Sequence, residues 1–373
     1  MTIHVGILCG GRSGEHQVSL LSARSIYQAL ERERFAPLLV AIDRQGFWHA
    51  GSADDLLEHP DDPARIALRE GQPRCWPMPD EQGGCRLTEA NGSQAAIPVD
   101  VFFPIVHGTD GEDGALQGML RLLDRPFVGA DVLGSAVGMD KDVMKRLLAH
   151  GDMPVTPWRT LVRQDIGADT WDALRAALGP VVFVKPACLG SSVGVSRVES
   201  AAEFQAAVAE ALRYDKKVVV EAAVPGREIE VSVLGDGPGG DAPPRASVPG
   251  EIKPRHGFYS YAAKYLDPDG AALIIPAPLE DGQTARVQEL AVRAFQALDC
   301  EGMARVDFFL RPDGRFIINE INTLPGFTSI SMYPKLWAAS GLPYPQLLTR
   351  LIELALARHA RQRGLERNYA ATP

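Results

Sequence analysis

An excess of basic side chains is missing from this chain. Its 373 residues carry 38 Lys and Arg against 47 Asp and Glu, a formal net charge of −9. The acidic balance argues against a nucleic-acid partner, and any phosphate site must be local. Cysteine is scarce and scattered: Cys9, Cys75, Cys85, Cys188 and Cys300 are odd in number and form no C-x-x-C pair. That excludes a disulfide framework and a zinc ribbon, and predicts reduced thiols in the cytoplasm. No stretch reaches the roughly 18 apolar residues of a membrane helix. The opening MTIHVGILCGG has neither a basic leader nor a small-residue cleavage pattern, so no secretory signal is expected. With 46% hydrophobic residues, the chain has enough apolar material to exclude a disordered protein. Its length predicts two or three domains at about 100–200 residues each. The 36 Gly and 28 Pro follow no collagen-like period and point to long loops.

Residues 3–9 read as a strand, 10–14 as a glycine-rich turn, and 16–30 as a helix with Val18, Leu21, Ile26 and Leu30 on one face. Apolar runs at 36–42 and 99–106 suggest further strands of a parallel sheet with crossovers. Between them, 51–98 is rich in Pro, Gly and acids and reads as a surface excursion without chemistry. A helix is predicted over 139–150, stopped by Gly151 and Pro154. Strands follow at 181–185 and 218–220, with a helix near 201–212. The last stretch holds strands near 228–234 and 303–310, a helix over 284–298 and a final helix over 344–360. The basic cluster Arg358, His359, Arg361 and Arg363 sits where that helix is expected to end, which complementarity to the helix dipole explains.

The segment from Gly302 to Thr323 reads as two strands joined by Asp313-Gly314, a strong hairpin signal. With those two residues as the loop, Pro312 faces Arg315, Asp307 lies opposite Glu320, and Arg305 lies opposite Asn322, all four on one face. Facing carboxylates repel unless a cation or a flanking arginine compensates. Asp307, Glu320 and the Asn322 amide oxygen suit magnesium that keeps waters and takes phosphate oxygens; salt bridges to Arg305 and Arg315 are the alternative.

Three other segments are less specific. Val181 to Gly194 is a strand ending in Lys185, followed by a Gly/Ser loop able to bring N–H groups up to phosphate or to act as a plain hairpin turn. His107-Gly-Thr-Asp-Gly-Glu112-Asp113-Gly follows an apolar strand, where α/β sheets bind ligands, though it also reads as a capped helix start. Gly257 to Gly270 is an aromatic loop bounded by glycines, either a water-excluding lid or a packed surface loop.

Together, GGRSGEHQVSL, HGTDGEDGALQG, KPACLGSSVGV with GFYSYAAKYLD, and GMARVDFFL through NEINTLPGFTSISMYPKLW resemble the D-alanine–D-alanine ligases of the ATP-grasp superfamily. The resemblance covers nearly the whole chain apart from 51–98. It implies a three-domain α/β ATP-grasp fold: an N-terminal parallel-sheet α/β domain over 1–129, a central domain over 130–225, and a C-terminal domain over 226–373 with lid and metal hairpin. The implied activity is ATP-dependent joining of two D-alanines through a D-alanyl phosphate, for peptidoglycan precursors. A D-alanine–D-lactate ligase or another carboxylate–amine ligase is the alternative within the superfamily, and a dinucleotide-binding oxidoreductase the alternative outside it.

The same resemblance assigns roles. Lys141 and Lys185 contact ATP phosphates, with Ser192 and Lys264 beside them, and Asp307, Glu320 and Asn322 hold two Mg2+ (or Mn2+). Glu221 and Glu228 bind adenine and ribose, Ala223 and Val224 act through backbone, and Phe258 and Phe309 line the adenine pocket. Glu15 takes the ammonium of the first D-alanine in a network with Ser191 and Tyr265, near His107. Arg305 and the Gly326 N–H stabilise the oxyanion, and Ser331 takes the second carboxylate. Tyr265 favours the dipeptide over the D-lactate product. A cytoplasmic homodimer without a membrane partner is implied.

Overall fold

The apolar run IHVGILCG forms β1 (Ile3–Gly10), and the helix-spaced segment after it forms α1 (His16–Ala29). The structure is a computed structural model that describes residues 2–80, 84–89, 97–167, 169–254 and 271–366. β2 (Phe35–Ile42) lies parallel to β1, and β3 (Trp48–Gly51) turns back antiparallel to β2. A short helix α2 (Ala53–Leu56) is capped by Ser52 and followed by the small pair β4 (Leu57–Glu58) and β5 (Ala67–Leu68). The strands β6 (Cys75–Pro79), β7 (Cys85–Glu89) and β8 (Ile97–Pro98) come next, and β9 (Val101–Pro104) closes the other edge beside β1. The sheet order is β8-β7-β6-β3-β2-β1-β9.

This corrects the expectation for 51–98. The prolines of β6 do not break the segment. It extends the first sheet by antiparallel strands, so only β2, β1 and β9 are mutually parallel. Cys75, Cys85 and Leu87 join Trp48, Val99 and Phe102 in a buried apolar cluster, the kind of burial that stabilises a strand whatever its proline content.

After α3 (Ala115–Leu122) and α4 (Val132–Met139), the helix expected at 139–150 is α5 (Lys141–His150). α4 and α5 break at Asp140, whose Oδ1 accepts the Asp142 and Val143 N–H groups at 3.1 and 3.2 Å, as an N-cap carboxylate does. Lys141 is thereby the first residue of α5. A four-stranded antiparallel sheet follows, ordered β10 (Trp158–Val162), β13 (Lys217–Ala222), β11 (Val182–Pro186), β12 (Ser196–Val198). The helices α6 (Thr170–Leu178) and α7 (Ala201–Ala211) cover it through Trp171, Leu174, Phe204 and Val208.

The third sheet runs β17 (Ala271–Ile274), β16 (Gly250–Pro254), β14 (Arg227–Gly235), β18 (Gly302–Leu310), β19 (Phe316–Asn322), with β15 (Arg245–Ala246) beside β14. Strict alternation sends Ile229, Val231, Val233, Val306 and Phe308 to one face, where α8 (Gln283–Ala297) packs through Val287, Leu290, Ala294 and Phe295. The polar partners on the other face are left to build a site. The terminal helices α9 (Met332–Ala339) and α10 (Tyr344–Arg363) bury Trp337, Leu347, Leu351 and Ile352 against Val5, Ile7, Leu20 and Phe103 of the first unit.

Arg361 and Arg363 of the basic cluster lie in the last turn of α10, as complementarity to the helix dipole expects, and the cluster also makes specific contacts within the protein. Arg358 is buried inside it, donating to the Gly129 and Phe127 carbonyls at 2.6 and 2.7 Å and meeting Glu301 at 3.2 Å. Its guanidinium also lies 4.4 Å from the Phe127 ring centroid. Arg361 pairs with Asp236 and Arg363 with Asp124. The cluster is an internal staple.

Candidate active site

The metal hairpin reaches its expected pairing by an unexpected route. Arg311 and Arg315 are bonded across a loop of Pro312, Asp313 and Gly314, with Gly314 at φ +79°, so the turn is one residue longer than Asp313-Gly314 alone. Leu310 then faces Phe316 and Phe308 faces Ile318, one position out of the predicted register. A bulge restores it: Asn319 is an extra residue on β19, after which Asp307 faces Glu320 and Arg305 faces Asn322. A bulge also reverses which face the following residues occupy. Phe316 and Ile318 are buried before it and Ile321 after it, which leaves Glu320 and Asn322 on the polar face.

Across the sheet, Glu230 stands opposite Asp307, and Glu228 opposite Phe309. Glu230, Asp307 and Glu320 therefore form a row over three strands. Arg305 grips both Asp307 oxygens at 2.7 Å, with its Nε 3.1 Å from Glu230, and Asn322 donates to Asp307 at 3.0 Å. The arginine alternative for relieving this repulsion is thus present in the structure, while Arg315 pairs with Asp313 instead. Among the described residues, no group of three or more His, Cys, Asp and Glu converges as a ready-made metal cage. Two facing carboxylates and an amide oxygen remain a hard donor set, suited to a cation that brings its other ligands with it.

Two adjoining cavities share Gly190, Ser191, Glu230 and Glu320. The larger, about 1300 Å³ including its open mouth, is lined by Lys141, Lys185, Ser192, Val224, Glu228, Asp307 and Phe309 among others. Ala223 does not line it, and its N–H is bonded to the Val181 carbonyl. Lys141 Nζ donates to the Leu189 carbonyl at 2.7 Å and lies 3.5 Å from Glu320. Lys185 Nζ lies 2.8 Å from one oxygen of Glu221, and the fully buried Lys145 lies 3.3 Å from the other. Glu221 lines this cavity too, with its side chain held by two lysines. Burial alone would raise the Glu221 carboxyl, but Lys145 and Lys185 outweigh it and hold it below the usual range. Burial alone would lower Lys185, and Glu221 reverses that. Lys145 is lowered by burial, which Glu221 offsets only in part.

The smaller cavity is lined by Glu15, His107, Glu112, Arg305, Gly326 and Ser331. Glu15 sits at the start of α1, and Ser191 donates to its carboxylate. Ser191 and Ser192 both have left-handed backbone, φ +52° and +59°, a costly conformation for residues with a Cβ. Ser13 accepts the Glu15 N–H at 3.2 Å and donates to the His107 carbonyl at 2.6 Å. The buried His107 ring meets Ser22 Oγ at 3.3 Å. Its pKa is pushed down to about 4 by burial, against a backbone hydrogen bond with Leu324. Ser331 Oγ accepts the Thr328 N–H at 3.0 Å, and a Cβ at Gly326 would come within 2.8 Å of it. A larger residue at this position would require the Ser331 hydroxyl to move.

Three residues of this region escaped the sequence reading. Lys145 follows Lys141 by one helical turn, and Glu230 alternates with Glu228 along β14; both periodicities were available as signals. Glu112 reads from sequence as part of a ligand loop or, with Asp113, of a capped helix start; Asp113 accepts the N–H of Ala115, the first residue of α3, at 3.1 Å, while Glu112 turns back to accept the Gly108 N–H at 2.6 Å. Burial and the neighbouring Glu15 raise its carboxyl well above the usual range. The expected Phe258, Lys264 and Tyr265 lie outside the described residues.

Comparison with known proteins agrees along the whole chain. Residues 4–130 match the family described as D-ala D-ala ligase N-terminus, and 147–353 the D-ala D-ala ligase C-terminus. The segment 51–98 therefore lies inside the family match, contrary to expectation. A D-alanine–D-alanine ligase A from Chromobacterium violaceum is 53% identical over 366 residues, 98% of each chain. The enzyme of the same name from Escherichia coli (strain K12) is 50% identical over 364 residues, again 98% of each. Among solved structures, the D-alanine–D-alanine ligase from Coxiella burnetii superposes with a TM-score of 0.84 at 39% identity, covering 97% of this chain and 96% of that one. A D-Ala:D-Ser ligase from Enterococcus faecalis gives 0.79 at 32% identity, covering 95% and 100%.

Proposed function

The chain belongs to the D-ala D-ala ligase family, with its ATP-grasp fold, and from that membership we propose how its residues carry the reaction. It is an ATP-dependent ligase that joins two D-alanines, supplying the dipeptide of peptidoglycan precursors. The observation that carries the residue assignment is the junction of the two cavities at Gly190, Ser191, Glu230 and Glu320, where a phosphate from one side can meet a carboxylate from the other.

ATP occupies the larger cavity. Lys141 and Lys185 neutralise its phosphates, the loop at Ser192 offers N–H groups, Glu228 accepts ribose hydroxyls, and Val224 and Phe309 border the adenine. Asp307, Glu320 and Asn322 would hold two Mg2+ (or Mn2+), which neutralise phosphate charge and polarise the transferring group. The carboxylate excess along Glu230, Asp307 and Glu320 supports a cation there.

The first D-alanine presents its ammonium to Glu15, beside His107, and its carboxylate attacks the terminal phosphate of ATP, giving an acyl phosphate as the bond to the leaving ADP breaks. Water must be excluded at that point, because it competes with the amine for the activated carbonyl. The amine of the second D-alanine, whose carboxylate is taken at Ser331, attacks that carbonyl. The tetrahedral oxyanion is stabilised by Arg305 and the Gly326 N–H, and collapses with loss of phosphate. By family resemblance, Phe258 and Lys264 belong to the ATP-binding set and Tyr265 to the D-alanine set. The division near 129 and 225, a cytoplasmic setting and a homodimer belong to the same reading. Among the described residues, no helix is long and apolar enough to cross a membrane.

The test is a product assay with ATP and D-alanine, L-alanine, or D-alanine mixed with D-lactate. Phosphate release and D-alanyl-D-alanine only where D-alanine is present are expected. Release with L-alanine, or a D-lactate product exceeding the dipeptide at equal concentrations, overturns the reading.

A further inference from the structure

We propose that Lys145 is a positioning residue that sets both the phosphate-binding Lys185 and the metal-binding Glu320, an inference that rests on the roles just assigned to those two. Lys145 is 0% exposed and lines neither cavity, so it touches no substrate. Its ammonium reaches two places. One is Glu221 Oε1 at 3.3 Å, and the other Glu221 oxygen holds Lys185 Nζ at 2.8 Å. The second is the Asn319 carbonyl at 3.3 Å, the extra residue of the bulge that turns Glu320 onto the polar face.

Burying an ammonium is costly, and a methionine of similar length would fill the same space without that cost. Packing therefore does not account for a charge here. What the charge supplies is a fixed carboxylate on one side and a fixed bulge on the other. Without it, Glu221 is free to turn both oxygens toward Lys185 and draw that lysine away from the phosphates. The Asn319 carbonyl also loses its donor, and the Glu320 carboxylate loses its fixed direction. The cation is a joint between the nucleotide half and the metal half of the site, tying α5 to β13 and to β19.

The test uses Lys145→Met and Lys145→Arg in the full-length enzyme, with KM for ATP, KM for D-alanine, the Mg2+ concentration giving half-maximal rate, and Tm measured for each. For Lys145→Met, KM for ATP and the Mg2+ requirement are expected to rise about 10- to 100-fold, the range for lost supporting contacts around metal ligands. KM for D-alanine should stay within about threefold, a split that uniform damage to the fold would not produce. Lys145→Arg, which keeps the cation, should recover at least half of the ATP defect on a logarithmic scale. ATP and Mg2+ dependences within about twofold of the parent overturn the proposal, as does a parallel rise of all three constants with falling Tm. Lys185→Met and Glu320→Gln are run alongside. If they too leave ATP turnover intact, the roles assigned to Lys185 and Glu320 fail. If they abolish it while Lys145→Met changes nothing, only the role of Lys145 falls.

Discussion

Ser191 donates its hydroxyl hydrogen to a carboxylate oxygen of Glu15, a residue 176 positions earlier in the chain. The bond ties the loop between β11 and β12 to the start of α1, across the smaller cavity. In the proposed role of Glu15 as the group that receives an ammonium, its direction matters as much as its charge. Replacing Ser191 with Ala removes a hydrogen bond to a carboxylate, worth about 1.5–3 kcal/mol. KM for D-alanine should rise about tenfold while KM for ATP moves less than threefold. Initial rates with each substrate varied in turn will show this, and equal changes in both constants would count against it.

Glu320→Gln keeps the shape of the side chain and removes its charge from the row shared with Asp307. Phosphate release should fall by at least about 100-fold, because a carboxylate that holds a metal contributes several kcal/mol of charge stabilisation. Tm should change little, as Glu320 is part of no apolar cluster. A variant with near-parental turnover would remove Glu320 from the metal assignment.

Deleting Asn319 tests the bulge itself. The deletion places Glu320 directly after the core-facing Ile318, so simple alternation keeps Glu320 and Asn322 on the polar face and Ile321 in the core, and the pairs Asp307–Glu320 and Arg305–Asn322 are kept without a bulge. The expected result is a cooperative thermal transition by circular dichroism, and loss of that transition would show that the bulge is needed for folding itself.

His107 links acidity to stability. Its pKa is pushed down to about 4 by burial, below the usual 6.5, so between these values the unfolded chain binds a proton that the folded chain does not. Stability is therefore full above about pH 6.5 and declines as pH falls toward 4, with about 2 kcal/mol lost at pH 5. Urea titrations of the parent and of His107→Gln at pH 7.5 and pH 5 will check this. The parent should lose that much more than the variant, and identical losses would refute the assignment.

Arg358→Met addresses the staple on α10. The substitution strands the Phe127 and Gly129 carbonyls and leaves the partly buried Glu301 without its cation. Breaking such a contact costs about 3–5 kcal/mol. The urea midpoint should fall accordingly, while kcat measured where the variant is still folded should remain near that of the parent. An unchanged midpoint would mean that the staple adds nothing.

Much of this architecture was legible in the sequence. Strands and helices such as β1, α1, β18 and α10 follow from apolar periodicity, which depends on neighbours along the chain. The four segments that carry the family resemblance brought Glu15, Lys185, Ser191, Arg305, Asp307, Glu320 and Ser331 into view because each is a local pattern of residue types. Even so, the pairing of Asp307 with Glu320 was expected from a two-residue turn, whereas the protein reaches it through a longer loop and a bulge that compensate each other. The 51–98 segment looked irregular because proline and glycine weaken a strand locally, and sheet extension over a buried Trp48, Cys75 and Leu87 overrides that weakness. Sequence alone determined which residues were available for the chemistry. Tertiary structure decided that Glu221 would be held between Lys145 and Lys185, that Asn319 would turn Glu320 toward the site, and that Arg358 would face inward. Each of these depends on a buried charge or carbonyl finding its partner across a long stretch of chain, where burial makes an unpaired polar group too costly to leave.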